Sequence, residues 1–181
     1  MKIIQNIREK FAKSFLLKHQ TEMNRTQKQV NLNSARTLVL LYNLPDEATY
    51  KIAESIVVRL GEMNLKVRVV CYTESKILPH YFIPKISQDI FTAKDLNWRF
   101  QPQKPFYKDF IETEYDILID LSLTNNLPLL YCAALSKAGL KVGRFQEEHQ
   151  PFYDLMIHTT ENETIDSFAE QVIYYLSRIN T

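Results

Sequence analysis

A chain of 181 residues with 45% apolar and 24% charged residues is long enough for one buried core and has the composition of a soluble globular protein. Two cysteines, four scattered histidines and no Cys/His cluster argue against a disulfide framework or a zinc site, so no metal is expected. The net charge of +1 is unevenly spread: residues 1–36 carry eight Lys/Arg against two acids, and residues 109–181 carry four against twelve. This asymmetry points to an anionic partner or to two parts of one molecule that attract each other.

In chain order, residues 2–20 place Ile4, Ile7, Phe11, Phe15 and Leu16 at helical spacing, flanked by Lys2, Arg8, Lys10, Lys13 and Lys18. This is a basic amphipathic helix, and the polar, aperiodic residues 21–35 read as a linker. Such a helix could lie on a membrane surface, bind nucleic acid, or pack on its own domain or a second copy; packing is the preferred reading. The N-terminus lacks the apolar core and cleavage site of a secretory signal. No stretch approaches the ~18 apolar residues of a membrane span, so the expected location is the cytoplasm.

An α/β domain is expected over 36–181. Residues 36–43 (RTLVLLYN) form an apolar run suited to a strand buried on both faces. A helix over 45–62 follows, with a start signal at Asn43–Glu47, then a strand at 66–73. Residues 74–105 are irregular, with a weak strand at 89–91 and a short helical turn around Lys94–Trp98. Next come a helix (107–114), a strand (115–122), a helix (126–139), strands at 140–144 and 153–160, and a last helix near 162–179, capped through Thr160 and Glu163 or by Thr164. This alternation predicts a three-layer α/β sandwich with a mostly parallel sheet of five to six strands. A Rossmann-like order 3-2-1-4-5-6 is preferred over a flavodoxin-like one.

In such a sheet, ligands bind beyond the carboxyl ends of the strands where strand order reverses. That places Tyr42 and Asn43 opposite Asp120, Ser122, Thr124, Asn125 and Asn126, with Arg144 one strand over and able to meet a phosphate or carboxylate. The chain has only three glycines, and neither strand-to-helix turn, 42–46 or 121–127, contains one. There is no GxGxxG, GxxxxGK[ST] or GxSxG pattern, which disfavours NAD, FAD, P-loop hydrolysis and an α/β-hydrolase. No cofactor is implied. Cys71, near a strand end, reads as a small buried residue.

The connection 75–110 interleaves aromatic rings with basic residues, a composition that can stack bases. A loop with four prolines also needs aromatic anchors to stay on its domain, which is the favoured reading. Trp98 and Arg99, with Lys10, Lys13 and Lys18, form a candidate partner surface.

The segments LPHYFIPK, DIFTAKDLNW, YDILIDLSLTNNLPLLYCAALSKAGLKVGR and YDLMI, in this order, resemble an uncharacterised family of small Bacteroidetes proteins. The resemblance implies a stand-alone bacterial protein and carries no activity or catalytic residues. The DILIDL strand, small-residue helix and VGR strand are also similar to one half of heptosyltransferase-like glycosyltransferases. Those enzymes use a second Rossmann-like domain for the sugar donor, for which no room is expected here.

The functional expectation is a protein that binds a small anionic or nucleotide-like ligand at the switch-point crevice, with no recognisable catalytic residues. An adaptor docking on RNA, membrane or protein through the helix and aromatic loop is the alternative. A small transferase or hydrolase comes last.

Overall fold

The computed structural model describes residues 2–22 and 25–179. Residues 23 and 24 of the expected linker and the last two residues of the 36–181 domain lie outside the described residues. The strands are β1 (Thr37–Asn43), β2 (Lys66–Thr73), β3 (Gln88–Thr92), β4 (Ile117–Asp120), β5 (Leu140–Arg144) and β6 (Leu155–Ile157). They form one sheet in the order β3-β2-β1-β4-β5-β6, with every pair parallel. This is the Rossmann-like order, so strand order reverses between β1 and β4.

The helices are α1 (Lys2–Glu22), α2 (Glu47–Glu62), α3 (Pro105–Glu112), α4 (Leu127–Leu135) and α5 (Ile165–Leu176). The continuous apolar run of β1 follows from its central place. Leu38, Leu40 and Tyr42 enter the core shared with α2 and α5, while Val39 and Leu41 enter the core shared with α3 and α4. Both faces are covered, so alternation disappears.

Helix α4 shows the same logic one layer out. Its sequence LPLLYCAAL is buried from Pro128 to Leu135, and a helix apolar all round needs cover on both sides. Leu129, Cys132 and Ala133 face the sheet, while Leu130, Tyr131, Ala134 and Leu135 meet Ala12 and Leu16 of α1. The N-terminal helix therefore packs on its own domain as an added layer.

The packed stripe differs from the one that spacing suggested. Ala12 and Leu16 are fully buried, whereas Ile4, Ile7 and Phe11 stay exposed. The docking partner α4 is nine residues long, about 13 Å at 1.5 Å per residue, so it meets only the second half of α1. Leu16→Ala should cost about 2–3 kcal/mol, a fall in melting temperature of roughly 4–12 °C for a chain of this size. Ile7→Ala should leave it unchanged, and thermal denaturation of both variants checks this.

Residues 25–35 are strapped across the amino ends of the strands. Lys28 N–H donates to Gly139 O at 3.0 Å, and Leu32 N–H to Leu176 O at 3.2 Å. A Cβ on Gly139 would lie 2.8 Å from the Lys28 side chain, so this glycine lets the strap approach. Asp116 accepts from the backbone of Arg36 and Thr37 and pairs with Lys28 at 3.1 Å. These partners hold its carboxyl down at about 2 against the opposing effect of burial.

Element ends moved by a few residues, for local reasons. Asp46, not Asn43, caps α2 by accepting from Thr49 N–H, and Thr164 caps α5. Helix α4 stops at Leu135 because Ser136 is extended (ψ 145°). In the long connection, Phe82, Phe91, Tyr107 and Phe110 are buried anchors, and β3 is a true edge strand of five residues.

Candidate functional site

The crevice beyond β1 and β4 is built by two strand ends and three helix starts. Parallel pairing sets Leu41 beside Asp120, so Asn43 and Ser122 emerge on opposite sides of the switch point. Asn126 links Asn43 to the start of α4. Its Oδ1 accepts from Leu129 N–H at 3.1 Å, capping α4, and its Nδ2 donates to Asn43 Oδ1 at 3.2 Å. A cap residue thereby ties the first turn of α4 to the end of β1.

Deep in the crevice, Asp120 is buried. Its Oδ1 accepts from Ser122 N–H at 2.9 Å, and its Oδ2 accepts from the Tyr153 hydroxyl at 2.6 Å. Burial pushes its carboxyl above the usual range, opposed by the nearby Ser122 hydroxyl first, then by the Tyr153 hydroxyl, the Ser122 N–H and the Arg144 charge. Tyr153 is pushed well up by burial and by the Asp120 charge. His149 is pulled down to about 4 by burial and by Lys13 and Arg144, so its ring is neutral at pH 7.

These groups wall an inner recess of about 10 Å³, room for one water. The recess shares Ser122 and Thr124 with an outer cleft of about 290 Å³ between the start of α2, the 121–124 loop and the start of α5. Every residue lining the outer cleft is uncharged. Thr49, Asn43 and Thr164 offer polar atoms and Ile52, Leu121 and Leu123 an apolar wall. The Ser122 hydroxyl, at the junction of the two spaces, is buried beside the Asp120 carboxyl and makes no well-formed hydrogen bond. A larger open hollow of about 600 Å³ lies against the strap, next to Gly139 and Asp154, on the amino side of the sheet where this fold class does not bind ligands.

Of the residues expected here, Asn43, Asp120, Ser122, Thr124, Asn126 and Arg144 line the recess or the cleft. Asn125 sits at the rim, accepting from Arg144 at 3.2 Å and from Gln146. Tyr42 does not reach the crevice. It is fully buried in the core under α2, its hydroxyl beside Cys71, and burial drives its pKa up. Cys71 is likewise buried, its thiol pushed up to about 12 by desolvation, which leaves it inert.

Sequence reasoning missed Gln146, His149 and Tyr153, which come from the β5–β6 connection. One signal was available. Gly143 sits inside a strand, where glycine marks a close approach, and a Cβ there would lie 2.7 Å from the Tyr153 ring.

The expected partner-surface residues divide. Lys13 pairs with Glu148, and Arg99 lies 4.6 Å over the Phe15 ring. Lys10, Lys18 and Trp98 are exposed. Among the described residues, no group of His, Cys, Asp and Glu is arranged to hold a metal ion, and no helix is long and apolar enough to cross a membrane.

A family model described as a family of unknown function (DUF6913) matches residues 8–179. The chain belongs to that family. A search of curated proteins finds no match. Among solved structures, the DUF6913 chain is similar to E. coli heptosyltransferase WaaC with ADP, at 15% identity and a TM-score of 0.50, over 79% of this chain and 48% of that one. The same enzyme with ADP-2-deoxy-2-fluoro heptose aligns over 77% of this chain and 48% of that one, at 15% identity and a TM-score of 0.44. The chain thus spans about half the length of the transferase, and at this identity the likeness concerns the fold.

Proposed function

We propose that this DUF6913 protein binds a small, nucleotide-like ligand in the switch-point crevice, its body in the outer cleft and a single anionic group near Arg144. The observation that carries the reading is the Ser122 hydroxyl, buried beside the Asp120 carboxyl where recess and cleft meet, without a well-formed hydrogen bond. A buried hydroxyl left wholly unpaired costs about 1–3 kcal/mol, and a ligand group that completes the bonding of Ser122 recovers part of that cost. The cleft, at about 290 Å³, stands at the small end of ligand sites. Its mixed wall suits a sugar or base, and Arg144 supplies the charge. Without glycine in either turn, backbone cannot wrap a pyrophosphate, which favours a monophosphate or carboxylate. The transferase of similar fold was solved with ADP, which is compatible with a nucleotide-like occupant.

Adenosine monophosphate and glucose 1-phosphate are the first probes. In an amide NMR titration at fixed salt, Ser122, Thr124 and Asn126 should shift, and Arg144→Gln should weaken binding by about 10- to 100-fold through loss of a charge-assisted contact. Shifts confined to the strap side of the sheet, or unchanged affinity in the variant, contradict the assignment.

A further inference from the structure

We propose that the outer face of α1, together with Trp98, docks on an anionic lipid bilayer. Ala12 and Leu16 face α4 and Phe15 packs beside them, while Ile4, Ile7 and Phe11 point away from the protein. Ile4, Ile7 and Phe11 are 66%, 48% and 57% exposed and share one helical stripe. Trp98, 54% exposed, extends it, its ring 5.9 Å from that of Phe11.

The position of Trp98 is built. Arg8 Nε donates to Trp98 O at 2.5 Å and its guanidinium lies 4.1 Å over the Phe100 ring. Asn97 Oδ1 accepts from Arg99 and Gln101 N–H, closing a tight turn in which Phe100 takes the left-handed region (φ 66°). A large residue held there is strained, and the turn sets the indole beside Phe11 on the outer face.

Charge and area together choose the occupant. Lys18 follows Phe11 at heptad spacing and Lys10 lies one ridge over, both exposed. Glu9 and Lys13 border the α4 side instead. The outward face is therefore aliphatic and aromatic at its centre and basic at its margin, the pattern of an interfacial helix. Four side chains at these exposures present on the order of 500 Å² of apolar surface. This is a large patch for a monomer, yet short of the ~800 Å² per partner of a stable protein interface. A bilayer needs no matching surface, and Trp is favoured at its headgroup level. RNA would require exposed cations along the centre of the face.

Trp98 is the sole tryptophan of the chain, so its emission reports directly on this face. The full chain is titrated with phosphatidylcholine vesicles with and without about 30% phosphatidylserine, following emission and co-sedimentation. A blue shift and co-sedimentation with the anionic vesicles only are expected. Ile7→Glu and Phe11→Glu should each weaken binding by at least about tenfold with thermal unfolding unchanged, and Lys10→Gln by about fivefold. Several results overturn the proposal: no shift with anionic vesicles, equal binding by the glutamate variants, or RNA retention in place of vesicle binding. A concentration-dependent blue shift without vesicles also overturns it, since a second copy would then cover the face.

Discussion

Gly143→Val is expected to destabilise the protein by about 3–5 kcal/mol, the sum of overpacking and of a broken buried hydrogen bond to a carboxyl group. A Cβ on Gly143 would lie 2.7–3.0 Å from three atoms of the Tyr153 ring, and an aromatic ring cannot yield as a flexible chain end does. The ring must move, and its hydroxyl leaves Asp120 Oδ2, now 2.6 Å away. Burial already holds the Asp120 carboxyl above its ordinary range, so losing this donor raises it further. Tyr153→Phe removes only the hydroxyl and should cost about 1.5–3 kcal/mol. In a double-mutant cycle, Tyr153→Ala should relieve much of the Gly143→Val defect, because the clash has lost its partner. Urea denaturation of the four proteins checks this, and additive effects would show that Gly143 acts through something other than the ring.

The second large effect concerns Lys141. This side chain is 1% exposed, and its Nζ donates to Ala134 O at 3.0 Å, near the end of α4. Burial first, then the neighbouring Arg25 charge, pull its pKa down to about 7, opposed by Asp154. The unfolded chain, with an ordinary lysine near 10.4, binds more protons than the folded one above pH 7. Lys141 alone therefore makes stability rise with pH in this window, by about 1.5–2 kcal/mol between pH 7 and 8.5. From about pH 7.5, within the same window, Cys71 and Cys132 oppose the rise and cut the net gain to about 1 kcal/mol, since burial raises both thiols and the folded state keeps protons the unfolded state loses. Lys141→Met should abolish the rise and add about 2 kcal/mol at pH 7, because no buried amine remains to be desolvated. Denaturant unfolding at pH 7, 7.75 and 8.5 reads both. A flat profile in the wild-type protein contradicts the assignment of Lys141 as a lysine strained by burial.

Much of this architecture was legible in the residues. The double-sided run of β1, the alternation of apolar strands with periodic helices, and the Asn126 and Thr164 cap signals are local, and local chemistry decided them. The switch-point rule then named the corner residues Asn43, Asp120, Ser122 and Asn126 without knowledge of side-chain directions.

What stayed hidden is long-range. Which stripe of α1 is buried depends on the length and apolar surround of α4, more than a hundred residues away, and the periodicity of α1 holds no trace of it. Tyr42 was misplaced for a related reason. A strand end alternates sides with every residue, and register sent this one into the core under α2. Tyr153, His149 and Gln146 reach the recess from a connection with no regular pattern, and only Gly143 hinted that something pressed against β5.

The central claim is that the switch-point crevice holds a ligand. The most direct measurement is the melting temperature of the full chain at pH 7.5 and fixed salt against nucleoside monophosphates, sugar phosphates and small carboxylates, in wild type and Arg144→Gln side by side. A ligand at 100 times its dissociation constant adds about 2.7 kcal/mol, a rise of roughly 5–10 °C for a chain of this length. The account predicts such a rise for at least one phosphate-bearing or carboxylate compound in the wild type, and its loss in Arg144→Gln. A silent panel, or a rise that survives the substitution intact, contradicts it.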